Sequence, residues 1–286
     1  MSLKDRLFLL SQYLTPHYAL SRLMGRLADC TWERGKNFAI ERFIARYRVD
    51  MTQAIQSDPR SYPSFNAFFT RALKPGLRPF NPQAQVIISP VDGAISQLGK
   101  INSGRIFQAK GHHFDATELL GGDANKAHPF QDGSFATIYL SPRDYHRIHM
   151  PCDAKLKETY YIPGKLFSVN PLTASNVPRL FSRNERLVCL FETAAGPMAL
   201  VLVGAMIVGA METVWGGAVA PHGKQVVHQV FQEPIAFEKG EEMGRFKLGS
   251  TVVLLFGKHA VSWDPGLHAG SALSMGQSLA LSSSRL

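Results

Sequence analysis

The pattern of apolar and polar positions changes character once along the chain. Up to about residue 60, apolar residues recur every three to four positions, the period of an amphipathic helix. Ser2-Leu3-Lys4-Asp5 reads as an N-cap with an acid three residues later, and Leu3, Leu7, Leu10 and Leu14 then mark one face, widened by Phe8, Leu9 and Tyr13. Thr15-Pro16 predicts a new N-cap followed by a first-turn proline, after which Leu20, Leu23, Met24 and Leu27 repeat the stripe beside Arg22 and Arg26. A third helix carries Ile40, Phe43, Ile44 and Tyr47 among Arg42, Arg46 and Arg48. A short aromatic helix over residues 64–71 then runs into Lys74-Pro75-Gly76-Leu77-Arg78-Pro79, where proline and glycine end it.

From Val86 onward the texture is one of short apolar runs broken by Gly, Pro and Asp, such as Gln85–Ser89, Phe135–Leu140 and Leu187–Phe191. That is the signature of a β-rich domain. Residues 194–211 carry no charge and just reach the length of a membrane span. Gly196-Pro197 turns the chain near the start, however, and Gly204 and Gly209 interrupt it. A buried hairpin pairing Leu187–Phe191 with Met198–Val203 accounts for more of these residues. The expected architecture is α+β: a basic amphipathic helical region over residues 1–61, and a β-rich, mostly antiparallel core over residues 62–286.

Composition narrows the partners. With 286 residues and 45% hydrophobic content the chain can bury one substantial core. Cys30, Cys152 and Cys189 form no CxxC pair or metal-like cluster, so they read as small buried hydrophobes in a reducing compartment, and no metal site is expected. Of the formal charge of +9, a net +7 lies in residues 1–78, where 13 Lys/Arg face six Asp/Glu. Such a segment suits an anionic membrane surface. Without a recognition motif it does not suggest nucleic acid. The alternative is that the helices pack on the protein's own core. The apolar stretch Leu7–Leu10 is too short for a secretory signal and no cleavage site follows it, so the protein is expected to stay inside the cell.

Three polar clusters stand out against the apolar background. Ser89-Pro90-Val91-Asp92-Gly93 places an aspartate in a turn, although Asp-Gly is also common turn punctuation. Ser141–Pro151 holds His146 and His149 beside Tyr145, Arg143 and Arg147. Leu248-Gly249-Ser250-Thr251 delivers Ser250 at the mouth of an aliphatic strand, Thr251–Phe256. Asp92, His149 and Ser250 offer the residue types of an acid–imidazole–hydroxyl relay, and by themselves suggest a serine hydrolase. The G-x-S-x-G elbow of the α/β-hydrolases is missing.

The chain resembles bacterial phosphatidylserine decarboxylase proenzymes from about Tyr62 to Phe256, with a weaker tail beyond. The resemblance rests on motifs in order: Phe68-Phe69-Thr70-Arg71-Ala72-Leu73-Lys74-Pro75-Gly76, Ser89–Gly93, Tyr145-His146-Arg147-Ile148-His149-Met150-Pro151, Pro163–Pro171, Asn184-Glu185-Arg186, Val203-Gly204-Ala205-Met206 and Leu248–Thr251. It implies a sandwich-like core and a homodimer of cleaved protomers. It also implies self-cleavage between Gly249 and Ser250, giving a beta chain 1–249 and an alpha chain 250–286, with Ser250 converted to a covalent pyruvoyl group. Asp92 and His149 match the self-processing residues and His146 the histidine of the decarboxylation step. The pyruvoyl ketone takes the place of a bound cofactor: it forms a Schiff base with phosphatidylserine and accepts electrons as carbon dioxide leaves, giving phosphatidylethanolamine. The expected location is peripheral, on the cytoplasmic face of the membrane. A pyruvoyl decarboxylase of another amine remains the nearest alternative.

Overall fold

A computed structural model of the chain describes residues 1–206, 210–219, 225–247 and 250–283. The Leu248-Gly249 dipeptide, and with it the expected cleavage bond, lies outside the described residues.

The helical region forms as its periodicity predicts: α1 spans Leu3–Leu14, α2 His17–Asp29, α3 Glu33–Tyr47 and α4 Phe65–Phe69. Ser2 and Asp5 make a reciprocal capping box on α1. One expectation is corrected at the next start: Thr15 caps the end of α1, and Pro16 itself occupies the N-cap position of α2 with no side-chain bond. Proline lacks the N–H that the last turn of α1 would need, so it ends one helix and begins the next.

Which way the apolar stripes face was left open by the sequence, and the helices divide on it. In α3, Ile40 is fully buried with Val49, Tyr62, Phe68 and Phe69 in a small core of its own, joined by Phe43, Ile44 and Phe65. This core runs across residues 61 and 62, binding α4 to the helical region. The α1 stripe points outward instead, with Leu3 72% and Leu14 73% exposed and Leu7 and Leu10 also exposed. Leu23 and Leu27 of α2 do the same. Polar residues attach these helices to the body: the Ser168 N–H donates to Gln12 Oε1 (2.8 Å), the Leu166 N–H to His17 Nδ1 (3.3 Å), and Tyr18 donates to the Gly164 carbonyl. A Cβ at Gly164 would lie 2.5 Å from the Arg183 carbonyl oxygen, so this docking ledge requires glycine.

The β-rich, antiparallel character expected of the remainder is observed. One eight-stranded sheet runs in the order Val227–Phe237, Ala154–Ile162, Arg186–Thr193, Gly196–Val203, Ser250–Phe256, Ser134–Leu140, Gly93–Lys100 and Ala272–Leu273. The expected hairpin is present, with Leu187 opposite Leu202 and Phe191 opposite Met198. Ser250–Phe256 is central, paired with Ser134–Leu140 on one side and Gly196–Val203 on the other. Its residues alternate between two cores: Val252, Leu254 and Phe256 in one, Val253 and Leu255 in the other. At roughly 1.5–3 kcal/mol for each fully buried aliphatic or aromatic side chain, this strand anchors everything after residue 249.

The first core lies between the large sheet and two smaller ones. A four-stranded sheet has the order Gly217–Val219, Ala210–Thr213, Glu242–Lys247, Arg147–His149, and a three-stranded sheet the order Val86–Ile88, Ser278–Ser282, Val261–Trp263. The second core is closed by loops and short helices carrying Phe114, Phe130, Phe167 and Phe181. Cys152 and Cys189 are buried as expected, whereas Cys30, just past the end of α2, is exposed.

Candidate active site

Topology explains how residues far apart in sequence converge. Ser134–Leu140 pairs with Ser250–Phe256 in the large sheet, while Arg147–His149 pairs with Glu242–Lys247 in the small one. The chain passes from the large sheet to the small through residues 141–146, and Lys247 ends a strand of the small sheet while Ser250 begins one of the large. Ser250 stands opposite Leu140, and the Phe246 N–H donates to the His146 carbonyl (2.9 Å).

Ser250 is fully buried and its Oγ has no partner among the described residues. Thr137, Ser141 and Thr251 also have buried hydroxyls without a partner among the described residues; what sets Ser250 apart is its place at the head of the central strand. His146 is likewise fully buried, and its ring lies 4.0 Å, centroid to centroid, from Phe69. Its Nδ1 donates to the Asp144 carbonyl (2.8 Å), so the neutral ring carries its lone pair on Nε2, which has no partner among the described residues. Burial pushes the His146 pKa down to about 3.

His149 is engaged at both nitrogens. Nδ1 donates to the Gly240 carbonyl (2.7 Å), and Nε2 accepts from the Tyr145 hydroxyl (3.0 Å). Burial lowers its pKa and pushes that of Tyr145 up to about 12. Asp92 is held elsewhere: Arg78 donates Nε to Oδ1 (2.8 Å) and Nη2 to Oδ2 (2.5 Å), and the Met275 N–H also donates to Oδ1 (2.8 Å). Among the described residues no hydrogen bond joins Asp92 to His149. Arg147 ties the small sheet to α4, donating to the Thr70 carbonyl (2.9 Å) and to Glu242 (2.8 Å), and so seats Phe69 against His146.

Sequence reasoning did not single out Arg78 as the clamp on Asp92, or Tyr145 as the donor to His149. Arg78 had been read only as part of a Pro/Gly junction, and an arginine 14 residues before its aspartate follows no spacing rule. Tyr145, four residues before His149, carried a visible signal in its neighbouring histidines.

Two cavities flank the 141–146 crossing. An apolar one of about 480 Å³ is walled by Met24 and Leu27 of α2, Phe43 and Tyr47 of α3, Phe65 and Phe69 of α4, and Pro142. A polar one of about 180 Å³ includes Asp92, Asp144 and Tyr145 in its lining.

Three histidines are held in the neutral form: His17, His146 and His149 all have pKa values lowered by burial. The unfolded chain binds their protons near pH 6.5 and the folded chain does not, so stability falls as pH drops below about 6.5. For His146 the loss is about 1.4 kcal/mol per pH unit down to its folded value. Asp144 and Glu185, raised by burial, act in the opposite sense. The urea midpoint should therefore fall from pH 7 to pH 5, with a shallower fall in His146→Asn. An equal slope in that variant would contradict the reading.

A family model described as phosphatidylserine decarboxylase matches residues 65–281, and a second, described as PSD, matches residues 7–48. Relatives resemble the chain along its whole length. A Bordetella avium (strain 197N) protein is 57% identical over 288 aligned residues, covering 100% of this chain and 98% of the relative. A Marinobacter nauticus protein is 59% identical over 276 residues, 96% of each, and an Azotobacter vinelandii protein 57% identical over 281, 97% of this chain and 98% of the relative. All three bear the name phosphatidylserine decarboxylase proenzyme. These are carboxy-lyases made as precursors. The chain belongs to the phosphatidylserine decarboxylase family.

Proposed function

We propose that this chain decarboxylates phosphatidylserine to phosphatidylethanolamine after cutting itself between Gly249 and Ser250. The carrying observation is Ser250: fully buried, unpartnered at Oγ, and first in the strand at the centre of the large sheet. A serine hydrolase needs a hydroxyl that an external acyl group can reach, and this one is enclosed.

In the cleavage step Ser250 Oγ attacks the Gly249 carbonyl, its proton passing to His149 Nε2 as Tyr145 gives up that lone pair. The C–N bond breaks, an ester forms and the Ser250 amine is freed. Loss of the Ser250 Cα proton then expels the Gly249 carboxylate, leaving a dehydroalanine that water converts to pyruvoyl with release of ammonia. Asp92, its charge fixed by Arg78, stabilises the imidazolium formed on His149. The buried position of Ser250, at the head of the central strand, fits a residue that is consumed and replaced by a ketone. That ketone supplies a carbonyl for the substrate amine and a sink for electrons as carbon dioxide leaves. His146 Nε2, neutral at rest and without a partner among the described residues, takes a proton from the substrate amine, is an imidazolium only for that step, and returns the proton to the α-carbon. The apolar cavity on the far side of Phe69 suits an acyl-bearing substrate more than a small soluble amine. The test is the intact mass together with conversion of phosphatidylserine vesicles: species 1–249 and 250–286, the latter blocked at its N-terminus, and new phosphatidylethanolamine.

Residues 1–61 form the membrane-docking region of this reading and residues 62–286 the catalytic core. The outward leucines of α1 and α2, with Lys4, Arg6, Arg22 and Arg26 exposed beside them, support seating on an anionic bilayer. No helix among the described residues is long and apolar enough to cross a membrane. The location is peripheral, on the cytoplasmic face. Leu10→Asp combined with Leu14→Asp should reduce co-sedimentation with phosphatidylserine vesicles about tenfold or more while cleavage continues. Undiminished co-sedimentation would remove the docking role. A homodimer of cleaved protomers completes the reading, supported by the open outer edge of Val227–Phe237 and its exposed Val227 and Val230. Light scattering of the cleaved protein measures it.

A further inference from the structure

The polar cavity beside the 141–146 crossing contains an arginine with two N–H groups unpartnered among the described residues, its guanidinium lying over the Phe68 ring. Arg71 is 4% exposed and lines the cavity with Arg48, Arg78 and Arg143. Its Nη2 donates to the Arg143 carbonyl (3.0 Å), but Nε and Nη1 have no partner among the described residues. The three carboxylates in the lining have other partners: Asp92 has Arg78, Asp50 has Thr52 and Gln53, and Asp144 has the Ser141 N–H and, at 3.8 Å, Arg143. A buried guanidinium with open N–H donors and no carboxylate is an incomplete site, and an anion completes it.

The surroundings say which anion. Three segments each give an apolar residue to the large cavity and, one or two residues on, an arginine to the polar one: Tyr47 and Arg48, Phe69 and Arg71, Pro142 and Arg143. The two cavities share these walls, and His146 packs on Phe69 of the first. An amphiphile with acyl chains in the first has its charged linkage at the second. Resting on the proposed decarboxylation, we infer that Arg71, with Arg48 and Arg143, binds the phosphodiester of the phospholipid headgroup.

The substrate's other anion, the serine carboxylate, is a poor match for this cavity. It must leave as neutral carbon dioxide, and a buried cation holding it would stabilise the ground state more than the transition state. The phosphodiester keeps its charge throughout, so binding it fixes the substrate without opposing the reaction. Arg71 and its two companions are positioning residues in this scheme.

Calorimetry on the full chain carrying Ser250→Ala tests the assignment without turnover. The probes are glycerophosphoethanolamine, inorganic phosphate and L-serine. Glycerophosphoethanolamine should bind most tightly, and Arg71→Gln should weaken it about tenfold or more, with partial recovery in Arg71→Lys. Arg48→Gln/Arg143→Gln removes only outer side chains and should weaken binding in the same direction, which keeps the test open if Arg71→Gln does not fold. In the Ser250-intact chain, the surface pair should raise KM for phosphatidylserine more than it lowers kcat. Unchanged affinity in both variants would overturn the inference. So would inorganic phosphate binding as tightly as glycerophosphoethanolamine, which marks a free-phosphate site, or arginine-dependent binding of L-serine alone. Cleavage and phosphatidylethanolamine formation by the parent chain, followed in parallel, report separately on the activity itself.

Discussion

A chain carrying Ser250→Ala remains one 286-residue polypeptide and forms no measurable phosphatidylethanolamine. The alanine has no hydroxyl to attack the preceding carbonyl, so no ester, no chain break and no ketone follow. Its fold should be intact. Ser250 Oγ has no hydrogen bond to lose among the described residues, and a methyl group suits the buried position, so stability should stay within about 1 kcal/mol of the parent. Intact mass and the urea midpoint measure the two halves of this expectation. Two fragments from the alanine chain would show that the serine hydroxyl is not the nucleophile. A large loss of stability would show that the hydroxyl is structural.

His146→Asn should separate the two reactions. The asparagine amide can still donate to the Asp144 carbonyl in place of Nδ1, but it brings no basic lone pair to the position of Nε2. Cleavage should go on, because it is assigned to His149, whereas turnover of phosphatidylserine should fall by about 10²–10⁴-fold, the usual contribution of a placed acid–base group. An uncleaved His146→Asn chain would reverse the assignment. The geometry makes this a sharp question: His146 has the free lone pair, and His149 must first be released by Tyr145.

Much of the architecture was legible because periodicity is a local property. The stripes of α1, α2 and α3, the hairpin around Gly196-Pro197 and the aliphatic run after Ser250 each follow from neighbouring residues. The direction of the stripes was not legible. Leu7 and Ile40 look alike in sequence, yet one faces outward and the other is fully buried, because Gln12 and His17 attach α1 and α2 to the body by their polar side. Hydrogen bonds to the backbone of residues 166–168 set that orientation, and no periodicity encodes them.

The site divides in the same way. Sequence alone determined the residue types and their order: the Asp-Gly turn, two histidines three apart, a serine heading a strand, and a positive charge concentrated in the first 78 residues. It determined the family as well, through motifs spread from Tyr62 to Phe256. Only the tertiary structure decided which atoms are free and which are occupied. Strand pairing in the two sheets sets Ser250 opposite Leu140, and Arg245 opposite Arg147, at the two ends of residues 141–146. Arg78 takes Asp92, Tyr145 takes His149, and Ser250 Oγ, His146 Nε2 and Arg71 Nε and Nη1 have no partner among the described residues. A chain can specify its donors and acceptors one residue at a time, but whether each is satisfied depends on partners brought from distant segments, and that is settled only when the sheets close.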